Sequence, residues 1–353
     1  MINVQDTANK EATEAKKNVL PKLKIGHPPF IHSGSSISKI MFFVIALLIL
    51  PVLGAIYFYG MKALIIILSA TISSIIFDLL MKKVRKKKIT LDGSETVTGI
   101  LLALTLPSEI PFYVPVIGSA FAIIIVKHTF GGLGNNIFNP ALAARAFIGA
   151  SWPLFVTAYA APAQFMSDRW FSLSLNNSLI TSATPLASKM LGSIKELSFT
   201  DLLDPFIGNI SGSIGETSAI LLIITGIILL VTKIIDWRIT IPYVAVVFIG
   251  GFIYAFSLGL NPLLFGLYYI FTGGLLLGAV FMATDYVTSP TTKKGRIIFG
   301  IGCGLLTLMF RIFSQMPEGV CFSILLMNIL TPLIDKYTFP RPFGWVNEVK
   351  AAK

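Results

Sequence analysis

The sequence predicts an all-α integral membrane protein of ten transmembrane helices, arranged as two inverted repeats of five with broken helices. Composition is the first reason: the 353 residues are 54% hydrophobic and 13% charged, whereas soluble domains carry about 25% charged residues. The second is that apolar runs close to the roughly 20 residues needed to cross a bilayer recur along the chain between polar or basic segments.

The chain divides into five segments. Residues 1–38 are predicted to form a Lys-rich cytoplasmic tail and a membrane-surface segment, and they lack the apolar core and cleavage site of a signal peptide. The first half covers 39–161, a polar loop covers 162–215, the second half covers 216–334, and 335–353 form a second tail. The ten predicted spans lie at about 39–59, 61–81, 95–106, 112–127, 141–161, 216–233, 239–258, 262–282, 296–313 and 318–334.

The distribution of basic residues predicts the orientation. With the N-terminus inside, inner segments hold 22 of the 28 Lys and Arg residues, including the run at 82–88, Lys127 and the residues at 293–296. Outer segments hold five, among them Arg311, while Arg145 lies within the fifth span. Because cytoplasmic segments of membrane proteins are enriched in Lys and Arg, both termini are expected in the cytoplasm and the long polar loop outside. The net charge of +11 is therefore explained by topology and not by nucleic-acid binding.

Five spans on each side of the loop mean that the second half enters the membrane with the opposite orientation. This is the arithmetic of an inverted repeat, in which functional sites lie at broken helices near the middle of the bilayer. The polar hairpin at 130–140 and the run at 284–292 are the predicted breaks.

Four polar motifs carry a family resemblance. They are Asp92-Gly93-Ser94 with Val97-Thr98-Gly99 and Leu104-Thr105-Leu106-Pro107, Gly131-Gly132-Leu133-Gly134-Asn135-Asn136 with Phe138-Asn139-Pro140-Ala141, Ser182-Ala183-Thr184-Pro185-Leu186-Ala187, and Phe281-Met282-Ala283-Thr284-Asp285 with Val287-Thr288-Ser289-Pro290. In order and spacing they resemble the D subunit of the Rnf ion-translocating electron-transport complex, which is related to the B subunit of the sodium-pumping NADH:quinone reductase. The resemblance covers nearly the whole chain after the N-terminal tail.

The resemblance implies a covalent FMN, joined through its phosphate to the hydroxyl oxygen of Thr184 by a flavin transferase that acts outside the cytoplasm. The family pattern around this threonine has an acidic residue six positions earlier, Ser or Thr three earlier and Gly two earlier. Here Thr181 fits, whereas Ser178 and Ser182 depart from the pattern. The small Ser182 and Ala183 leave room for the enzyme. Judged by chemistry alone, Ser and Thr clusters in loops usually form turns and caps.

The family's function follows from the same resemblance. In the bacterial cytoplasmic membrane, the complex passes electrons between reduced ferredoxin and NAD while Na⁺ or H⁺ crosses the bilayer. The implied partners are a second FMN-threonine subunit, iron–sulfur membrane subunits and the peripheral subunits that meet NADH and ferredoxin. Some members also bind a non-covalent riboflavin, which is a candidate second cofactor.

Arg145, Asn136, Asn139, Thr288 and Ser289 are the further candidate cofactor-binding residues. Arginine within a span is costly and usually faces a cavity or a partner. We therefore expect Arg145 to neutralise a carboxylate or to bind a flavin edge or phosphate, and the alternative is that its side chain extends to the inner surface.

Asp285, Thr284, Asp92 and Ser94 are the candidate ion ligands, because oxygen ligands suit hard cations. The alternative is that these side chains cap helix ends. Asp78 lies four residues before a lysine, and pairing with that lysine is preferred to ion binding. The two cysteines show no metal-binding spacing, so no metal cluster is expected.

A second class of function suits the same pattern. A ten-span channel or secondary transporter for a small solute, without a redox role, would equally use Gly-rich broken helices and inverted halves. A purely structural membrane anchor would explain neither the outer loop nor the Gly-rich hairpin.

Overall fold

The computed structural model describes residues 36–87, 89–163, 165–171, 197–216, 218–314 and 319–340. Within these ranges the regular secondary structure is entirely helical, as predicted. The residues for which the family resemblance implies flavin attachment, Thr181, Ser182, Ala183 and Thr184, lie outside the described residues. So do most of the two predicted tails.

The helices follow one another along both halves of the described chain. The main helices are α1 (Ile37–Tyr59), α2 (Met61–Val84), α3 (Ser94–Leu104), α4 (Tyr113–His128), α5 (Pro140–Ser151), α6 (Ala219–Val231), α7 (Trp237–Ser257), α8 (Pro262–Phe271), α9 (Leu275–Met282), α10 (Lys293–Phe313) and α11 (Val320–Thr338). Within the described residues, short helices lie between α5 and α6, at Pro153–Thr157, Asp168–Phe171, Thr200–Ile207 and Ile214–Glu216.

The lengths of the helices support a multi-pass membrane protein. Within the described residues, α1, α2, α7, α10 and α11 are long and apolar enough to cross a membrane, and the bent pair α8 and α9 adds a sixth span. α3, α4 and α6 are apolar but shorter. α5 ends at Ser151 and does not continue to residue 161, because Pro153 cannot donate the next helical hydrogen bond. The full count of ten spans stays a prediction.

A single glycine makes the turn between α1 and α2. Gly60 has φ +69°, and a Cβ at this position would clash with the carbonyl oxygen of Trp170. The indole Nε1 of Trp170 donates to the carbonyl of Ile56 at 3.1 Å, near the end of α1. Glycine is thus needed both for the left-handed conformation and for the close approach of this segment.

The Asn-Pro dipeptide begins one helix in each half. The side chain of Asn139 accepts hydrogen bonds from the first free backbone amides of α5, and Pro140 occupies the first helical position. α8 begins in the same way, with Asn261 as the N-cap and Pro262 next to it. Asparagine is a favoured N-cap and proline suits the first turn, where no hydrogen bond is lost.

Two helices end among other helices, and arginine side chains bind their last carbonyl groups. α3 ends at Thr105, whose carbonyl accepts from Arg145 Nε at 2.8 Å. α8 ends at Thr272, where Arg311 Nη2 donates to the carbonyls of Thr272 and Gly273 at 2.9 and 3.3 Å. Arg311 Nη1 also donates to the carbonyl of Tyr269. These cations lie at the negative end of each helix dipole.

The position of Arg311 corrects one sequence-based expectation. The charge distribution predicts an outer topology charge at this position, but the side chain is 0% exposed. The break that it binds, at Gly273 and Gly274 with φ of +69° and +65°, divides the predicted span 262–282 and bends the helix pair by 61°. The sequence did not predict a break at this point. The predicted breaks at 130–140 and 284–292 are also largely non-helical.

Loops that the predicted topology places on one side of the membrane contact one another. The outer pairs are Lys62–Glu109 (2.6 Å) and the backbone of Ala163–Phe58 (2.8 Å), and the inner pairs are Lys87–Gly131 (2.9 Å), Arg296–Asp236 (2.7 Å) and Thr291–Asp335 (3.1 Å).

Replacing Arg311 with Leu should lower the free energy of unfolding by at least about 3 kcal/mol, because charged hydrogen bonds to three buried carbonyls are lost. The measurement is denaturation of the detergent-solubilised complex. Lys294→Leu, at an exposed position of the same helix, is the control and should change stability by less than about 0.5 kcal/mol. Equal effects of the two substitutions would contradict this role for Arg311.

Candidate functional site

Residues from three of the four motifs meet at one pocket, which opens on one side and has a volume of about 80 Å³. We call it the inner pocket, after the predicted side of the membrane. Its motif residues are Ser94, Val97, Thr98, Asn136, Asn139, Pro140, Ala141, Phe281, Asp285 and Val287. The two halves of the chain both contribute to it, as expected for a site placed at broken helices.

A cluster of buried charges lies beside the inner pocket. We call Asp78, Lys82, Lys127 and His128 the buried ion cluster. The Asp78 carboxylate forms ion pairs with Lys82 Nζ at 2.7 Å and with Lys127 Nζ at 2.9 Å, and it lies 2.8 Å from His128 Nε2. Lys127 also donates to the hydroxyl of Ser94 at 2.9 Å and lines the pocket. The cluster therefore joins α2, α3 and α4 and brings a positive charge to the pocket.

The buried ion cluster confirms one prediction. Asp78 pairs with Lys82, as predicted. Lys127, counted above among the inner basic residues, is 3% exposed, and its ammonium group pairs within the protein. His128 is not among the candidates predicted from the sequence. Asp78 lies within one apolar run, and Lys127 and His128 end another. Such charged groups are costly in a membrane unless they pair, so the sequence could have predicted their contact.

Both helices that end at the inner pocket finish as π-helices. α4 changes to π-helix at Phe121–His128, and α9 does so at Gly278–Met282. π-helical turns are rare and are frequently found at functional sites. Here they coincide with two pocket residues, Lys127 and Phe281.

Asn139 connects the two halves of the chain at the pocket. Its Oδ1 caps α5, while its Nδ2 donates to the carbonyl of Met282 at 3.2 Å, at the end of α9. Nearby, Asn136 Nδ2 donates to the carbonyl of Phe138 at 3.0 Å and orders the hairpin. The structure thus brings both predicted asparagines to the same pocket.

Asp285 lines the inner pocket and also caps the chain that follows it. Its carboxylate accepts from the Val287 amide at 3.5 Å and from the Thr288 hydroxyl at 3.2 Å. Burial raises the pKa of Asp285, and these two hydrogen bonds only partly oppose that effect. Asp285 therefore caps the backbone that follows it, as the alternative expects, and it also lines the inner pocket.

Of the other candidate ion ligands, Ser94 also lines the inner pocket, whereas Asp92 and Thr284 do not. Asp92 pairs with Lys82 at 3.1 Å. The N-cap of α3 is Gly93, without a side-chain cap, and its amide donates to Glu95 Oε1 at 3.2 Å. Capping of α3 by Asp92 or Ser94 is therefore not observed.

Thr284 and Ser289 line a second pocket of about 350 Å³, which we call the basic pocket. Its other polar residues are Lys233, Asp236, Arg238, Tyr286 and Arg296. Thus the motif at 281–290 lines more than one pocket, because its successive side chains point in different directions.

A third, small pocket is lined by residues of α5 and α9 that do not line the inner pocket. This outer pocket, of about 30 Å³, is lined by Arg145, Glu216 and Gly274 among others. Arg145 is buried and bonds the carbonyl at the end of α3, so its side chain does not extend to the inner surface. Glu216, also buried, is not among the candidates predicted from the sequence.

Protein side chains of the described segments do not by themselves build a metal centre. The described residues contain no group of three or more His, Cys, Asp and Glu side chains that could hold a metal ion. The chemistry of the inner pocket is instead that of amides, hydroxyls, one lysine and one carboxylate.

Asp78→Asn should destabilise the protein by roughly 3–5 kcal/mol, because it leaves the buried Lys127 without its carboxylate and Lys82 with Asp92 alone. In a double-mutant cycle, Lys127→Met should cost less in the Asp78→Asn background than in the unmodified chain. Unfolding of the solubilised complex is the measurement, with Lys83→Gln on the exposed side of α2 as the control. Additive costs in the cycle would show that Asp78 and Lys127 do not interact.

Comparison with known proteins identifies the family. The sequence profile of the NQR2, RnfD, RnfE family matches residues 24–344. The chain is 41% identical over 346 residues to the D subunit of the proton-translocating ferredoxin:NAD(+) oxidoreductase complex of Clostridium ljungdahlii, covering 94% of this chain and 98% of the relative. It is 42% identical over 334 residues to the D subunit of the Na(+)-translocating ferredoxin:NAD(+) oxidoreductase complex of Acetobacterium woodii, with the same coverage.

A third relative, the D subunit of the ion-translocating oxidoreductase complex of Stutzerimonas stutzeri, is 36% identical over 334 residues, which cover 88% of this chain and 93% of that protein. These matches confirm the resemblance drawn from the motifs. The chain belongs to the NQR2, RnfD, RnfE family.

Proposed function

We propose that this chain is the D-type membrane subunit of an ion-translocating ferredoxin:NAD⁺ oxidoreductase complex. The observation that carries this proposal is the match of 94% of the chain to two relatives with that role, at 41% and 42% identity. One of these relatives is named for protons and the other for Na⁺, so similarity leaves both ions as candidates for coupling. The partners are the other membrane and peripheral subunits of such a complex.

The proposed cofactor is FMN, attached covalently to Thr184 by a flavin transferase. The support is the motif around Thr184 in a family member and the position of this motif in the polar loop between the two halves. A bound flavin supplies one- and two-electron redox chemistry, and the protein tunes its potential through hydrogen bonds and nearby charge. Covalent attachment would retain the cofactor on the outer side of the membrane.

The proposed membrane arrangement is ten spans in two inverted halves, with both termini in the cytoplasm and the flavin loop outside. Each predicted span overlaps a helix of the described chain. Support also comes from the predicted same-side loops, which contact each other at both ends of the helices. Because Arg311, Lys127 and Lys82 are buried, the orientation rests mainly on the remaining basic residues, above all the others of the run at 82–88.

A non-covalent flavin, riboflavin, is the proposed ligand of the inner pocket. Asn136 and Asn139 supply amide groups, Ser94 a hydroxyl, and Lys127 a positive charge that Asp78 holds in place. These groups suit the polar edge of a flavin ring. The volume of about 80 Å³ is below the 300–1,000 Å³ of typical ligand pockets, so the ring edge would enter and the rest would occupy the open side.

The same geometry argues against a bare cation as the occupant. Asp285 and Ser94 are oxygen donors of the inner pocket, but Lys127 lines it too and would repel a cation. Thr284 and Asp92 do not join them, since one lines the basic pocket and the other pairs with Lys82. We therefore assign the residues of the inner pocket to orienting a flavin edge.

A solute channel is the second candidate function. The observation that favours it is that adjacent residues line the inner and outer pockets: Ala141 and Phe281 line one pocket, and Leu142 and Met282 line the other. A channel of this kind would carry no flavin, so a flavin measurement separates the two functions.

Thr184→Val should abolish covalent flavin in this subunit, because valine lacks the hydroxyl that forms the phosphoester. The measurement is ultraviolet fluorescence of the denatured subunit on a gel, together with peptide mass spectrometry, using complex made in a host with an active transferase. Thr181→Val is the control and should keep at least part of the covalent FMN. One FMN still bound to the Thr184→Val protein would contradict the assignment, and an unlabelled native subunit would favour the channel.

Asn136→Ala should reduce the non-covalent flavin retained by the purified complex at least several-fold, because an amide facing the inner pocket is lost. Flavin released by mild denaturation and quantified by chromatography is the measurement. Asn135→Ala, at an exposed neighbouring position, is the matched control and should leave this flavin unchanged. Covalent FMN should be the same in both variants. Equal amounts of non-covalent flavin from both variants would show that the flavin does not bind in this pocket.

A further inference from the structure

The basic pocket contains more positive than negative charge. It lies where the turn between α6 and α7 meets the start of α10, and Lys233, Arg238 and Arg296 line it together with one carboxylate, Asp236. Its volume of about 350 Å³ lies within the range of small-molecule sites. Neither the proposed electron transfer nor the inner pocket uses these groups.

The two arginines are held in place by Asp236. Its carboxylate receives Arg296 Nη1 at 2.7 Å and Arg238 Nη1 at 3.1 Å, and Arg296 Nε also donates to the carbonyl of Pro290 at 3.1 Å. Burial alone would raise the pKa of Asp236. Hydrogen bonds from Arg238 and Arg296 outweigh this effect and hold the pKa below its ordinary value. The carboxylate is therefore charged at neutral pH and offsets one of the three cations.

Lys233 provides the third cation from a constrained backbone. It is exposed, and its φ of +57° lies in the left-handed region that side chains rarely adopt. Such conformations persist where the surrounding structure enforces them. The turn thus presents an ammonium group at the edge of the pocket where two guanidinium groups are already fixed.

Aromatic side chains at the pocket are typical of a membrane–water interface. Trp237 and Tyr286 line the pocket and are 50% and 54% exposed. The guanidinium of Arg238 lies 5.1 Å from the centre of the Trp237 ring, and the Tyr286 hydroxyl donates to the carbonyl of Ile234. Trp and Tyr concentrate at the level of the lipid headgroups, where one end of the side chain is apolar and the other is hydrated.

Apolar surface continues from the pocket along the neighbouring spans. Val231, at the end of α6, is 76% exposed, and Ile241, in the first turns of α7, is also exposed. α7 is one of the helices long and apolar enough to cross the membrane. A ligand with a negative headgroup and an apolar tail would match both parts of this surface.

We propose that the basic pocket binds the headgroup of an anionic phospholipid, with its phosphate at Lys233, Arg238 and Arg296 and its acyl chains along Val231 and Ile241. Basic pockets between membrane helices bind anionic lipid headgroups in this way. The proposal rests on the membrane position of α7 and α10 and not on the proposed redox function, so either can fail alone.

The test is lipid binding by the intact complex. The complex is purified with the unmodified chain, with Lys233→Gln, or with Lys294→Gln, which removes the same charge at an exposed position outside the pocket. After delipidation, dioleoyl phosphatidylglycerol is titrated in, and lipid retained by this subunit is counted by native mass spectrometry once the subunit is released from the complex. Dioleoyl phosphatidylcholine and inorganic phosphate are the comparison ligands.

Lys233→Gln should weaken phosphatidylglycerol binding about fivefold, as expected for one charge at a lipid surface, while Lys294→Gln should bind like the unmodified chain. Phosphatidylcholine should bind more weakly, and millimolar phosphate should not displace the lipid. Equal binding of the two lipids, equal loss in both variants, or displacement by phosphate alone would overturn the proposal. So would unchanged binding in Lys233→Gln, which is expected if a partner subunit covers the pocket.

Discussion

The structure depends on one constraint: two helices end inside the bundle, and their last carbonyl groups need hydrogen-bond donors. Within a bilayer no water supplies them, so an unpaired carbonyl costs several kcal/mol. Arg145 donates to the end of α3, and Arg311 donates to the end of α8. The positive charge also suits the negative end of each helix dipole. Helices can therefore stop short of the membrane surface, which leaves the glycines at 273 and 274 free to line a pocket.

The same region explains why the two halves enclose separate pockets. Asn139 caps α5 and donates to the carbonyl at the end of α9, so the two helix ends are joined by one carboxamide. Consecutive residues of α5 and of α9 then line different pockets: Ala141 and Phe281 line the inner pocket, and Leu142 and Met282 line the outer pocket. On the inner side the buried ion cluster fixes Lys127, whose charge faces the proposed flavin site. Three of the polar motifs are therefore close in space, because the helices next to them begin or end at the inner pocket.

Much of this arrangement was predictable from the sequence. The length of the apolar runs predicted the all-α class, and the order of the motifs predicted the family, which the comparisons confirm. The contact of Asp78 with Lys82 followed from their spacing on one helix. The burial of Arg311 did not, because its partners are backbone carbonyls of a distant segment that carries no sequence signal. The division of the motif at 281–290 among three pockets was equally hidden, since it depends on side-chain direction at the end of α9 and after it.

Our central proposal is that the residues of the inner pocket, drawn from both halves of the chain, hold a flavin edge beside Lys127. The most direct measurement is an electron cryomicroscopy map of the complex isolated from its own host. We predict planar density at the open side of this pocket, within hydrogen-bond distance of Asn136 or Lys127. A pocket filled by a side chain of a partner subunit, or a well-ordered empty pocket in flavin-replete complex, would contradict it.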